Sequence, residues 1–554
     1  MRALPSALTE FSVMSFVILL AVALPSAAQT SPQAANNSTS FRGRIVDADT
    51  DQPMTEEVTI VVTREGASDA TRRVIDVKGE FVVPDLMPGR YRIQFRYKGI
   101  ETGTLRMVEV TALPATAPAD IYLRLPGEIT GVIVDKDGEP VPGAQIMLVT
   151  VKYLAGQVLY TGTGARRTDD RGYFSMSTRV EAGQPYYLLA LPPESFRPTL
   201  SGTPSLVPVW YPGPPGVAQP FVIRSAERKR VDFVMEKKHT HCMDGRLTKN
   251  GQPAALNYEI AVPEVAGHSG ATGGTEGVIN KGQSDPSGHF QACGLWPGEF
   301  HIAAGMNSPP AVPQTTQFIF TADSYGHSAV SIADRDVHDV ILNVLSPVTL
   351  AAEIHLDNAQ TSQEMYRLDI IPLSRVAFES QPFLSSRKDV VAPSQFTLSL
   401  LPSTDYMIQL GSLVGTSDAY LKDVTCGGTV RRNSLKLGES DCGLHITVGT
   451  DIGKLTATIV DKDNNNDSAS LVCVYPASAV TPEDIGSTGI CSSPDPGATA
   501  VSIALRPDKY LAVAMPQERV DWVEYIQANR SQATPIEIQA RLTIQVTLKS
   551  NKMR

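Results

Sequence analysis

Residues 131–144, Gly131-Val132-Ile133-Val134-Asp135-Lys136-Asp137-Gly138-Glu139-Pro140-Val141-Pro142-Gly143-Ala144, read as a β-branched strand, an acidic turn and the start of a second strand. Further on, Thr168-Asp169-Asp170-Arg171-Gly172-Tyr173-Phe174 reads as a hairpin turn that delivers an aromatic pair. Glycine supplies the positive φ that such a turn needs, and the aromatic can cover the edge of a sheet. A third landmark follows, Ala182-Gly183-Gln184-Pro185-Tyr186.

These landmarks recur along the chain. The strand with its acidic end returns as Gly43-Arg44-Ile45-Val46-Asp47 and Ala457-Thr458-Ile459-Val460-Asp461, and more weakly as Gly245-Arg246-Leu247. The hairpin returns as Lys78-Gly79-Glu80-Phe81 and Ser287-Gly288-His289-Phe290. The third landmark ends on Tyr91, Tyr186, Phe300, Tyr406 and Tyr510, so successive copies lie roughly a hundred residues apart, the size of one β-sandwich domain. Between landmarks the pattern alternates: Tyr91, Ile93, Phe95 and Tyr97 share one face, while Arg92, Gln94 and Arg96 share the other. Helical patterning is scarce, and only residues 519–528 are considered for it.

Composition agrees. A chain of 554 residues with 42% hydrophobic and 19% charged residues can bury several cores, and its 42 glycines and 40 prolines suit many short strands. The net charge is −10, with no basic stripe, which argues against a nucleic-acid binder. Arg2, an apolar run over residues 11–24 and Pro25-Ser26-Ala27-Ala28 predict a signal peptide over 1–28, followed by a flexible leader over 29–40. The apolar run is short for a membrane span of about 20 residues, and no further span is expected after cleavage. The reading is an exported protein: periplasmic, at the cell surface or extracellular. Six cysteines fit an oxidising compartment. Their placement favours the local pairs Cys242–Cys293, Cys426–Cys442 and Cys473–Cys491, and none has the C-x₂₋₄-C spacing usual for metal ligation.

The landmarks resemble the carboxypeptidase regulatory-like domain. That resemblance implies an all-β chain, a tandem array of about five transthyretin/Ig-like seven-stranded β-sandwich domains. The expected units are 41–126, 127–238, 239–346, 347–450 and 451–550, with the first two nearest the family pattern. Unit four has Ser394-Gln395-Phe396 without the glycine, and unit five lacks the aromatic after Gly497. The family takes its name from a domain attached to metallocarboxypeptidases, and it carries none of their chemistry. Short connections between units would make the array elongated.

The chain has no H-E-x-x-H, no G-x-S-x-G and no P-loop, so no enzyme activity and no cofactor are expected. Three groups merit weighing. His239 and His241, with His289 on a strand tied by Cys293 to Cys242, are weak candidates for a three-histidine metal site; the bland reading has them facing solvent. Asp461, Asp463, Asn465 and Asp467 alternate like calcium ligands, but Asn466 and Val472 stand where an EF-hand needs Gly and Glu. A junction site around Asp47, Asp49 and Asp51 is the related thought. Trp210 and Tyr211, in a Pro/Gly-rich loop, are the ligand-binding candidates, since exposed aromatics stack on sugar rings; the competing reading packs both over the sheet beneath. The functional expectation is an exported, non-catalytic module for binding or adhesion, or a scaffold. Carbohydrate or another envelope polymer leads as partner, by analogy with related sandwich folds, and surface proteins come next. The alternatives are a metal-dependent hydrolase or redox protein built on His239, His241 and His289, and a purely structural spacer.

Overall fold

The structure is a computed structural model. It describes residues 39–67, 70–74, 78–110, 119–154, 157–177, 180–193, 200–214, 217–262, 278–307, 322–357, 364–372, 386–412, 419–438, 442–467, 470–494, 500–516 and 522–550. The signal peptide and nearly all of the leader lie outside these residues. The described chain is all-β, with sheets facing each other in pairs across apolar cores.

One topological rule repeats five times among the described residues. An early strand runs parallel to a late one: Thr39–Asp47 with Ala119–Leu123, Glu128–Asp135 with Phe233–Met235, His241–Lys249 with Val337–Val344, Val348–Leu356 with Leu444–Gly449, and Gly453–Val460 with Thr543–Lys549. Each pair joins the two ends of one segment delimited in the sequence, and those segments stand as proposed domains. The facing sheet is antiparallel; in the first unit it is ordered Ala70–Val74, Val58–Arg64, Gly89–Tyr97, Ile100–Val110. Ile45, Ile60, Phe81, Ile93 and Phe95 close the core between the two sheets.

The hairpin landmark has one geometry in three units. The N–H groups of Ile45, Ile133 and Leu247 donate to the carbonyls of Gly79, Gly172 and Gly288 at 2.8, 2.8 and 2.7 Å. Gly172 has φ +70°, and a Cβ there would lie 2.4 Å from the carbonyl oxygen of Ile133. No residue with a side chain fits that approach. The third landmark is also structural. The hydroxyls of Tyr91, Tyr186, Tyr406 and Tyr510 donate to the carbonyls of Met87, Glu181, Leu401 and Arg506. This resembles the tyrosine corner of immunoglobulin-type sandwiches. Phe300 has no hydroxyl, and Trp296 packs on its ring instead, 5.1 Å between centroids.

All six cysteines are paired as Cys242–Cys293, Cys426–Cys442 and Cys473–Cys491. Two short α-helices occur among the described residues. Trp522–Ala528 falls within the stretch considered helical. Pro482–Thr488 was not anticipated, although Thr481 caps it by accepting the N–H of Asp484 and Pro482 begins it. Trp522, without an evident role in the sequence, packs with Tyr153 around a cluster that includes Tyr475, Ile485 and Ile526.

Tyr153 belongs to the hairpin of Gln145–Leu154 with Gln157–Arg167 in the second unit, whereas the rest of that cluster is from the fifth. An elongated row of units meeting only at successive junctions would leave these two apart. The chain instead brings them into contact, and the Tyr153 ring covers apolar surface of the fifth unit there. A second shared cluster joins Met147, Val149 and Leu189 to Met243, Phe290 and Phe300 of the third unit.

Candidate functional site

Trp210 and Tyr211 lie in a short strand, Val209–Tyr211, rather than in a loop. Neighbours on a strand face opposite ways, so the two rings do not make one platform. Trp210 is opposite Leu189 and meets Tyr187 edge-on at 6.5 Å. Tyr211 is opposite Leu188 and packs on Phe221 and Phe233, against the core of the second unit. Both residues are half-buried.

On the other sheet of this unit, a cleft of about 320 Å³ lies over Thr130, Gly131, Val132, Tyr173, Arg228 and Arg230. Tyr173 follows the Gly172 turn and presents an exposed ring, while Phe174 beside it is buried. The Arg228 guanidinium donates to the Tyr173 hydroxyl at 3.4 Å and lies 3.5 Å from Glu128. Arg230 pairs with Asp232 at 3.0 Å. An aromatic face bordered by paired polar groups can stack on one side of a ring and hydrogen-bond its substituents. Tyr173 was legible in the sequence as part of the hairpin landmark; its exposure follows from strand alternation.

The three histidines weighed as metal ligands do not converge. His239 is exposed, with Nδ1 2.9 Å from the Gly202 carbonyl oxygen. His241 is buried, with Nδ1 3.7 Å from the Asp336 carboxylate. In the antiparallel pair His241 faces Leu295, whereas His289 faces Arg246. That register separates His241 from His289 by five strand positions, about 17 Å. The Cys242–Cys293 bridge fixes the register and thereby holds the two imidazoles apart.

The acidic turns use their oxygens internally. Asp461 Oδ1 accepts the N–H groups of Asp463 and Asn465 at 2.8 and 2.9 Å, which holds its carboxyl below the usual range. Asp47 Oδ1 accepts the N–H groups of Asp49 and Thr50. Asp49 receives Arg124 at 2.7 Å and the Ser225 N–H at 2.6 Å, joining the first and second units. These carboxylates stabilise turns and a junction, the role Asp commonly takes in such loops.

A different set of ligand-type groups does meet. In the fourth unit, Glu353 and His355 alternate with the buried Ala352 and Ile354, so both face outward from the sheet. The parallel register sets Glu353 beside His445. The Glu353 carboxylate meets His445 Nδ1 in a short hydrogen bond and lies 3.3 Å from His355 Nε2. The two imidazoles stack at 24°, 6.2 Å between centroids. The three ligand atoms lie within 4.8 Å of one another. His445 beside Glu353 holds its carboxyl below the usual range. No short motif links this set, because Glu353 and His355 are remote from His445 along the chain.

Residues 40–124 match the carboxypeptidase regulatory-like domain family. No curated protein is similar enough to match. Among solved structures, the streptococcal ancillary pilin is 12% identical over 55% of this chain and 98% of its own, with a TM-score of 0.17. The minor pilin of the gram-positive pathogen Streptococcus agalactiae is 16% identical over 40% of this chain and 96% of its own, also at 0.17. The major pilin subunit of Bacillus cereus is 12% identical over 57% of this chain and 100% of its own, at 0.14. No helix among the described residues is long and apolar enough to cross a membrane.

Proposed function

We propose that this is an exported, non-catalytic β-sandwich protein that serves as a binding or scaffold module at the cell envelope or outside the cell, with carbohydrate or another envelope polymer as its ligand class. The observation that carries the compartment is the complete pairing of six cysteines in three disulfides, since such bonds persist in oxidising compartments and are rare in the reducing cytosol. Repeated sandwiches suit the scaffold role, because each unit presents loops and sheet faces on a rigid core. The exposed Tyr173 ring, in a cleft bordered by Arg228 and Arg230, is the surface best fitted to a sugar, with Trp210 as the second aromatic to test.

The experiment is a glycan and envelope-polymer binding screen on purified mature protein, run with wild type, Tyr173→Ala and Trp210→Ala. Trp210 and Tyr211 each pack against a core, so Tyr211 is left intact and Trp210→Ala is read only where circular dichroism shows it folded. Binding that Tyr173→Ala abolishes in a folded protein supports the reading and locates the site. Absence of binding by wild type overturns the carbohydrate assignment and directs the search to partner proteins.

A further inference from the structure

We propose that Glu353, His355 and His445 bind a divalent transition-metal ion of the zinc and copper class on the outer face of the fourth sandwich, with the remaining coordination positions open to solvent. Two imidazole nitrogens and one carboxylate oxygen are the donor set that such ions favour, whereas Ca²⁺ and Mg²⁺ require shells made mostly of oxygen. One donor atom from each of the three side chains already lies within 4.8 Å of the other two. A zinc or copper ion would draw them in to about 2.0–2.2 Å from itself, a movement within reach of side-chain rotation.

The platform beneath is rigid. Ala352, Ile354, Leu444 and Ile446, which flank the ligands, are buried in the core, so the backbone spacing of the two strands is set by packing. Gln395 lies directly opposite Glu353 on the neighbouring strand and hydrogen-bonds its carboxylate, an outer contact of the kind that orients metal ligands. Without an ion, the arrangement is a surface His–Glu–His contact that contributes little to stability. With an ion, the first and last strands of the unit are linked directly, so binding also raises the stability of that unit by mass action.

The test is calorimetric titration of the tag-free mature chain with Zn²⁺ and Cu²⁺, with Ca²⁺ and Mg²⁺ as comparison ions. The expected result is one Zn²⁺ or Cu²⁺ per chain at this site, and no comparable binding of Ca²⁺ or Mg²⁺. His355→Ala, His445→Ala and Glu353→Gln should each weaken binding at least tenfold, and Gln395→Ala roughly tenfold. His289→Ala, an exposed histidine elsewhere, should leave affinity unchanged. Electron paramagnetic resonance of the Cu²⁺ complex should show coupling to two nitrogens, reduced to one in His445→Ala. The ligand side chains are partly or fully exposed, and circular dichroism verifies that each variant folds. Equal affinity in wild type and the His355→Ala/His445→Ala double variant overturns the proposal, as does a Cu²⁺ spectrum with no change in nitrogen coupling.

Discussion

The ring of Tyr153 covers the backbone of Gly486, so a Cβ on that glycine would lie 2.3 Å from the Tyr153 ring carbon Cγ. One residue belongs to a hairpin of the second sandwich and the other to the helix Pro482–Thr488 of the fifth. The contact returns the far end of the chain to a unit well before it in sequence.

Replacing that glycine should open the contact without unfolding either unit. Gly486→Leu forces a side chain into the ring, an overpacking cost of about 1–3 kcal/mol that separation of the two surfaces relieves. Small-angle scattering should then show a larger radius of gyration, with unchanged far-ultraviolet circular dichroism. An unchanged radius in the folded variant would count against the contact in solution.

The hairpin glycines separate strain from collision. Gly138 has φ +83° and open space around its Cβ position, so Gly138→Ala should cost only the left-handed backbone term, roughly 1–2 kcal/mol. Gly172→Ala adds a collision with the Ile133 carbonyl oxygen and should cost about 3 kcal/mol or more. Denaturant unfolding of the two variants side by side checks the order, and equal costs would refute the close approach.

Reduction should divide the molecule. No cysteine lies within residues 41–238, so a fragment of those residues should unfold cooperatively with or without reductant. The Cys426→Ala/Cys442→Ala variant, which opens a bridge of sequence separation 16, should lose about 3 kcal/mol in the fourth unit alone. In the denatured, unreduced mature protein no thiol should react, and two or more reactive thiols would sink the pairing.

Alkaline pH should loosen the corners. Burial pushes the phenols of Tyr406 and Tyr510 up to about 12, from an ordinary value of 10.0, and that of Tyr186 upward as well. A raised phenol stays protonated in the fold while its unfolded counterpart ionises. The stability is therefore fully present below pH 10 and is lost as pH rises toward 12. Phenolate absorbance followed during alkaline unfolding should show these groups ionising late and together with the loss of structure. Tyr406→Phe removes the hydroxyl that serves both the N–H and the carbonyl of Leu401, at about 1–3 kcal/mol, and should flatten the alkaline loss.

The repeat was readable because its determinants are local. Asp135 bonds Glu139, Tyr186 bonds Glu181 and the Gly172 N–H closes its turn on Asp169, each within a few residues, so their pattern survives as text. The placement of Trp210 and Tyr211 was not readable. Pro208 and Pro212 around them signal a loop, yet pairing with the strand Pro185–Leu191 outweighs that signal and turns the two rings to opposite faces.

By itself, then, the sequence determined the β class and the hundred-residue period, since both rest on short-range turn chemistry and alternation, and it favoured the local disulfide partners through their placement in that period. Only the tertiary structure decided which side chains meet across long separations. His445 reaches Glu353 because the last strand of its unit pairs parallel with the first, and Tyr153 reaches Gly486 because apolar surface on two distant units is covered there. Such contacts come from closing the chain on itself, which no local pattern encodes.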